Sequence, residues 1–165
     1  MKKMCLFFIF AFLLGVIEML FFYPQLPDYM AVHFNLAGSA DRWDSKSDFF
    51  WTMETVFALL VALFGTLPLI IRRLPVSYIN IPNREFWFAP ERKEQTTNRL
   101  VDQLLFIGAM ALLLMDGVLY LSMRANLVDR PALPSELLWG MIIVFFVVNI
   151  VWTMSLIRSF RQPPH

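Results

Sequence analysis

Cysteine is nearly absent from this sequence, and the single Cys5 excludes an intramolecular disulfide framework. With only two histidines, His33 and the terminal His165, a Cys/His zinc site has no ligand set to assemble from. Charge is scarce too: 16% of the 165 residues are charged and the formal net charge is +1. A phosphate-backbone binder needs a basic excess, so nucleic acid is not an expected partner. There is no metalloprotease helix, nucleophile elbow or phosphate-binding glycine loop, and hence no expected catalytic residue, metal or cofactor. What the chain has in abundance is apolar surface. Hydrophobic residues make up 58% and there are 17 Phe, far above the apolar share of an ordinary soluble domain.

Four windows meet the length criterion for a membrane-spanning helix of roughly 20 apolar residues: 5–23, 51–71, 104–122 and 137–157. The expected fold is therefore an all-α integral membrane protein, a single four-helix domain over 1–165, with a loop over 24–50 and another over 72–103. The first window follows Met1-Lys2-Lys3 and competes with a signal-peptide reading. Its long apolar run, Glu18 and the lack of a small-x-small site favour a retained anchor. Of the 14 Lys and Arg, ten fall at the two ends and between the second and third spans, and four in the other two loops. The positive-inside rule then predicts cytoplasmic termini and an extracytoplasmic 24–50 loop, with Trp51 and Trp139 as interface anchors where the second and fourth spans enter. Pro68 reads as a terminator of the second helix. Pro90 reads as the first turn of a helix beginning in Glu91-Arg92-Lys93-Glu94 and continuing into the third span, a rod of about 50 Å.

A carboxylate in hydrocarbon is a site hypothesis by default. Glu18 and Asp116 both lie about 5 Å outward of the midpoint of their helices. They predict either an acidic pocket for a cation, a proton or a basic group, or a structural role satisfied by protonation or by Arg42, Lys46 or Arg124. Glu54 reads as a first-turn residue facing a helix dipole, and Asn149 as a cross-helix hydrogen-bond partner.

The loop after the first span is rich in structure-specifying residues. Pro24 and Pro27 stop the helix, and Met30, Val32 and Phe34 alternate with Ala31, His33 and Asn35 in a short extended stretch. Gly38 predicts a turn, and Ser45 with Asp48 a helix start. His33, Asn35, Gly38, Asp41, Arg42 and Lys46 are the candidate binding residues. His33 reads as a pH-sensitive hydrogen-bond donor, as one ligand of a weak metal site with Asp41 or Asp44, or as a structural tie to Asn35 or the outer helix ends. Arg42 and Trp43 read as a grip on a partner or as an anchor at the interface.

The string Leu26-Pro27, Val32-His33-Phe34-Asn35, Gly38, Asp41 and Lys46 directly after one apolar helix resembles the bacterial membrane family known as domain of unknown function 1648, often found in proteins related to the SdpI immunity protein. The stretch Ile79 to Arg92 is similar to the segment that follows in longer members, so the resemblance runs over about Cys5 to Arg99. It implies a multi-helix protein of the bacterial cytoplasmic membrane, in some relatives protecting the cell from a secreted toxic peptide.

Phe86, Trp87 and Phe88 are three consecutive aromatics that predict burial in the membrane interface or against a partner chain. Arg92, Lys93 and Arg99, alternating with Glu91, Glu94 and Asp102, read as a solvated helix laced with ion pairs. The expected function is non-enzymatic recognition of a peptide or protein by the loop around His33, immunity-like or signalling-like. The alternatives are a small ion-coupled transporter built on Glu18 and Asp116, against which the lack of an internal repeat counts, and an accessory subunit of a larger membrane complex or a homo-oligomer.

Overall fold

The computed structural model describes residues 2–161, so His165 lies outside the described residues. The chain folds as α1 (Lys2–Phe22), β1 (Tyr29–Phe34), β2 (Ala40–Ser45), α2 (Lys46–Arg73), α3 (Arg84–Trp87), α4 (Lys93–Ala125) and α5 (Ser135–Arg161). The four long helices are each long and apolar enough to cross a membrane, which makes this a multi-pass membrane protein. α2, α4 and α5 each contain one of the expected windows and extend beyond it, while α1 covers the first window up to Phe22 and a short 3-10 turn over Tyr23–Gln25 follows.

α4 is the central element: α1 and α2 pack on it, and α5 lies against it separately. Its buried positions Val101, Leu105, Gly108, Ala109, Leu112, Asp116, Leu119 and Met123 recur every three or four residues, one stripe of a helix. That stripe meets Phe8, Ala11, Met19 and Phe22 of α1 and Phe49 and Phe57 of α2 in one core. Small residues let the backbones approach. A Cβ on Gly108 would lie 2.6 Å from the Phe64 side chain, and one on Gly15 would meet both Asp116 Oδ1 and the Phe57 ring.

Several expectations change. The fold is mostly helical with four long apolar helices, as expected, but it is not all-α, since it adds a two-stranded antiparallel hairpin, β1 with β2. The alternation in Tyr29–Phe34 was legible as an extended stretch. Its partner Ala40–Ser45 carries Asp41, Arg42 and Asp44 and stays largely exposed, so it has no apolar period to betray it. Pro68 does not end α2, which continues to Arg73. A proline there forfeits one backbone bond, to the Phe64 carbonyl, whereas Leu74 precedes Pro75 and is extended, and that is where the helix stops. α2 starts at Lys46, capped by Ser45 Oγ accepting from the Asp48 N–H at 3.0 Å as its sequence suggested. Glu54 is therefore not in the first turn, and Asp48 holds that place. The helix expected after Pro90 is present as α4, with 33 residues spanning about 50 Å, but it starts at Lys93 with Arg92 at its N-cap, so Pro90 lies in the turn before the helix and not in its first turn.

Candidate functional site

The hairpin sits over the ends of α1, α2 and α4, and three ties hold it. First, the Asn126 side chain at the C-cap of α4 meets β1 edge-on: its Oδ1 accepts from the Ala31 N–H at 2.7 Å, and its Nδ2 donates to the Ala31 carbonyl at 2.9 Å. Nδ2 also donates to the Ser122 carbonyl at 2.9 Å, satisfying one of the carbonyls a helix end leaves open. Second, the hairpin tip docks on the α4–α5 connection. Gly38 has φ 82°, in the left-handed region, its carbonyl accepts from the Leu133 N–H at 2.8 Å, and Ser39 pairs with Ala132. Asn35 builds that tip, its Oδ1 accepting from the Ala37 and Ser39 N–H groups at 3.0 and 3.1 Å. Third, Lys46 closes the base. Its Nζ donates to the Leu26 carbonyl at 3.1 Å, lies 3.3 Å from Asp28 Oδ1 and sits over the Tyr23 ring.

Asn35, Gly38 and Lys46 thus shape the platform. The pair His33 Nδ1 and Asp41 Oδ1, 2.5 Å apart, crosses the hairpin at a register irregularity and stays open to solvent, the side chains 60% and 43% exposed. Among the described residues no three His, Cys, Asp or Glu side chains come together to hold a metal; Asp44 instead accepts from the Ser45 N–H. Arg42 is exposed beside them. On the hairpin Tyr29 and Trp43 stack at 6.4 Å, both exposed. Beside Trp43 a groove of about 410 Å³ opens between hairpin and α4–α5 connection, lined by Pro27, Leu127, Val128, Asp129 and Pro131.

Inside the helix bundle, the structure brings Asp116 to the junction of three helices. Its side chain faces Gly15 of α1 beside Phe57 of α2, and the residue is 2% exposed. Among the described residues neither Asp116 oxygen has a hydrogen-bond partner, nor does Glu18 Oε2 one turn along α1. Glu54 is half-buried on α2, one turn from Phe57. Asn149 does not reach across to another helix: its Nδ2 donates to the Phe145 carbonyl of its own helix at 2.7 Å. The i−4 carbonyl is the nearest acceptor to a short amide on a helix. The bond between α4 and α5 is made instead by Gln103, whose Nε2 donates to Thr153 Oγ1 at 2.9 Å.

At the opposite end, the aromatic triplet is folded into the chain itself. Trp87 is buried, its Nε1 donates to the Phe160 carbonyl at 2.8 Å, and its ring packs edge-on against Phe160. Asn83 Nδ2 reaches the same carbonyl at 3.0 Å, so two side chains cap the end of α5. Thr96 Oγ1 donates to the Trp87 carbonyl at 2.7 Å, and the Arg92 guanidinium lies 4.0 Å over the Phe86 ring. Trp87 is therefore covered by the end of α5 and not open to a partner chain, while Phe86 and Phe88 are half-buried.

Sequence reasoning missed Asn126, Thr96 and the Gln103–Thr153 pair. Asn126 offered one signal, an Asn directly after a long apolar helix, where helices commonly end.

No curated protein and no solved structure matches the chain. Residues 6–58, which carry α1, the hairpin and the first turns of α2, match the family model described as "Domain of unknown function (DUF1648)", and that match supports the family the loop residues resemble.

Proposed function

We propose that this chain is a non-enzymatic binding protein of the bacterial cytoplasmic membrane, with both ends and the 72–103 segment cytoplasmic, and that its extracytoplasmic hairpin recognises a peptide or protein partner. The distribution of Lys and Arg supports the orientation. The observation that carries the binding role is the hairpin itself. It is tied at Asn126, Leu133 and Lys46, yet it leaves Arg42, the Tyr29–Trp43 stack and the adjoining groove open. A pre-ordered surface of aromatic and Arg side chains loses little entropy on binding, and such residues dominate binding energy. An immunity-like role, in which the partner is a toxic peptide, falls within this reading. The test is recovery of a stoichiometric partner from native membranes in mild detergent. Recovery is expected to fall at least tenfold in Arg42→Ala and Trp43→Ala with the chain's own yield unchanged; equal recovery by all three proteins removes the reading.

One observation favours a second reading, a small ion-coupled transporter. Three buried carboxylate oxygens of Glu18 and Asp116 have no hydrogen-bond partner among the described residues, an arrangement costly unless a cation or proton is held there. Flux in proteoliposomes that is lost in Glu18→Gln and Asp116→Asn is the expected result on this reading, and absence of flux in the unaltered protein removes it.

A further inference from the structure

α4 and α5 meet along a seam that is open at two places. Near the α3 end, Arg99, Gln103, Trp152, Ser155, Leu156 and Ser159 line a groove of about 330 Å³. Further along the same two helices, Met110, Leu113, Leu114, Met141, Val144 and Phe145 line a wholly apolar groove of about 310 Å³. Between them Phe106 and Trp152 stack at 4.4 Å. The lining positions Arg99, Gln103, Phe106, Met110 and Leu113 fall at intervals of three or four, one stripe of α4. None of the most apolar stretch of α5 is buried inside the protein, so the seam opens directly onto lipid.

The polar groove sits where the apolar windows of both helices end, the depth of a phospholipid headgroup. Its chemistry carries both hydrogen-bonding signs. Arg99 is half-buried rather than fully solvated, its guanidinium 5.6 Å from the Trp87 ring centroid. Ser155 adds a hydroxyl on the α5 side, and Ser159 an oxygen that can accept, its own hydrogen being donated to the Leu156 carbonyl at 2.7 Å. Gln103 is 8% exposed, and while its Nε2 is taken by Thr153, its Oε1 has no partner among the described residues. A buried acceptor without a donor is costly, and neither the phosphodiester of a lipid nor an acyl chain supplies one. Asp102, also at the groove, is engaged within the chain.

We propose that this groove binds the headgroup of a phospholipid that carries a hydrogen-bond donor beyond its phosphate, an ethanolamine or glycerol headgroup, with Arg99 on the phosphate, Gln103 Oε1 on the donor, and an acyl chain running over Phe106 and Trp152 toward the apolar groove. A guanidinium matches a phosphate, and Trp152 is an amphipathic ring of the type found at headgroup level. A choline headgroup has no N–H to offer Gln103 and is excluded by the same argument. Free phosphate shares the Arg99 contact but gains nothing from the apolar groove.

The test uses the full chain purified in mild detergent and titrated with phosphatidylethanolamine, phosphatidylglycerol, phosphatidylcholine and inorganic phosphate, with bound lipid counted by native mass spectrometry. The expected result is one ethanolamine or glycerol lipid per chain, held at least tenfold more tightly than the choline lipid and not displaced by millimolar phosphate. Arg99→Gln weakens it at least tenfold. Ser155→Leu, an exposed position that fills the groove without removing a tie, does the same while the unfolding midpoint holds. Gln103→Leu removes the preference over choline. Equal binding of all three lipids by the unaltered chain, displacement by inorganic phosphate, or unchanged binding in both Arg99→Gln and Ser155→Leu overturns the proposal.

Discussion

Asn126 grips Ala31 by both polar groups of its backbone, accepting from the N–H at 2.7 Å and donating to the carbonyl at 2.9 Å, across 95 residues of sequence. Ala31 is fully buried, so neither group has water to turn to. The bidentate amide also occupies the free edge of β1 at that point, leaving no template there for a further strand.

Asn126→Leu is expected to destabilise the protein by about 2–4 kcal/mol, since each backbone group left buried and unpaired costs about 1–3 kcal/mol. Asn126→Asp keeps the acceptor for the N–H but sets a carboxylate against the Ala31 carbonyl, and is expected to be no better than Asn126→Leu. Thermal unfolding in detergent measures both; an unchanged midpoint in Asn126→Leu contradicts the assignment.

Gly38→Ala strikes the hairpin tip twice. The residue would need a left-handed backbone, at a cost of about 1 kcal/mol or more, and its Cβ would run into the Leu133 carbonyl. The expected outcome is loss of the tip's docking with the helices intact. Hydrogen exchange reads this as faster exchange at Leu133, whose N–H is bonded to Gly38, with no change in α4.

Gly15→Ala is expected to cost about 1–3 kcal/mol through overpacking, because the added carbon falls on Asp116 Oδ1 and the Phe57 ring. Shortening the opposing side chain in the double variant Gly15→Ala, Asp116→Ala is expected to return part of that loss, a coupling that a double-mutant cycle reports directly. Gly65 has nothing within 4 Å of an added carbon. Gly65→Ala is therefore the control, neutral or stabilising by about 0.5–1 kcal/mol through helix propensity. Equal effects at Gly15 and Gly65 remove the proposed packing of α1 on α4.

Trp87→Phe retains most of the ring and loses the Nε1 bond to the Phe160 carbonyl. A loss of about 0.5–1.5 kcal/mol is expected from that bond, against about 3–5 kcal/mol for Trp87→Ala. Unfolding followed by tryptophan-independent circular dichroism separates the two; equal and negligible losses would return Trp87 to the surface role its neighbours in sequence suggest.

The four spans were legible because a membrane helix announces itself over about 20 residues of uninterrupted apolarity. The Ser45 cap was legible because local chemistry sets it, whereas the start of α4 at Lys93 falls three residues past the proline that reads as its first turn. What the sequence concealed depends on distant partners. β2 takes its place by backbone pairing with β1 rather than by an apolar period, and Trp87 is buried by the end of a helix some seventy residues away. Of the six loop residues singled out, Asn35, Gly38 and Lys46 make the ties that hold the hairpin, and the open surface consists of His33, Asp41 and Arg42 together with Tyr29 and Trp43. Residue type announces that a loop is ordered but does not separate the side chains that build it from those it presents. That distinction is made by where the carbonyls of Gly38 and Ala31 find their donors.

The central claim is that the hairpin's open face contacts a partner, and site-specific photo-crosslinking in intact cells tests it most directly. A photoreactive amino acid is placed at Trp43, beside the groove, and separately at Leu59, on the exposed side of α2. The account predicts one discrete protein or peptide adduct from position 43, weakened at least tenfold by Arg42→Ala, and only lipid adducts from position 59. No adduct at position 43, or the same adducts from both positions, would contradict it.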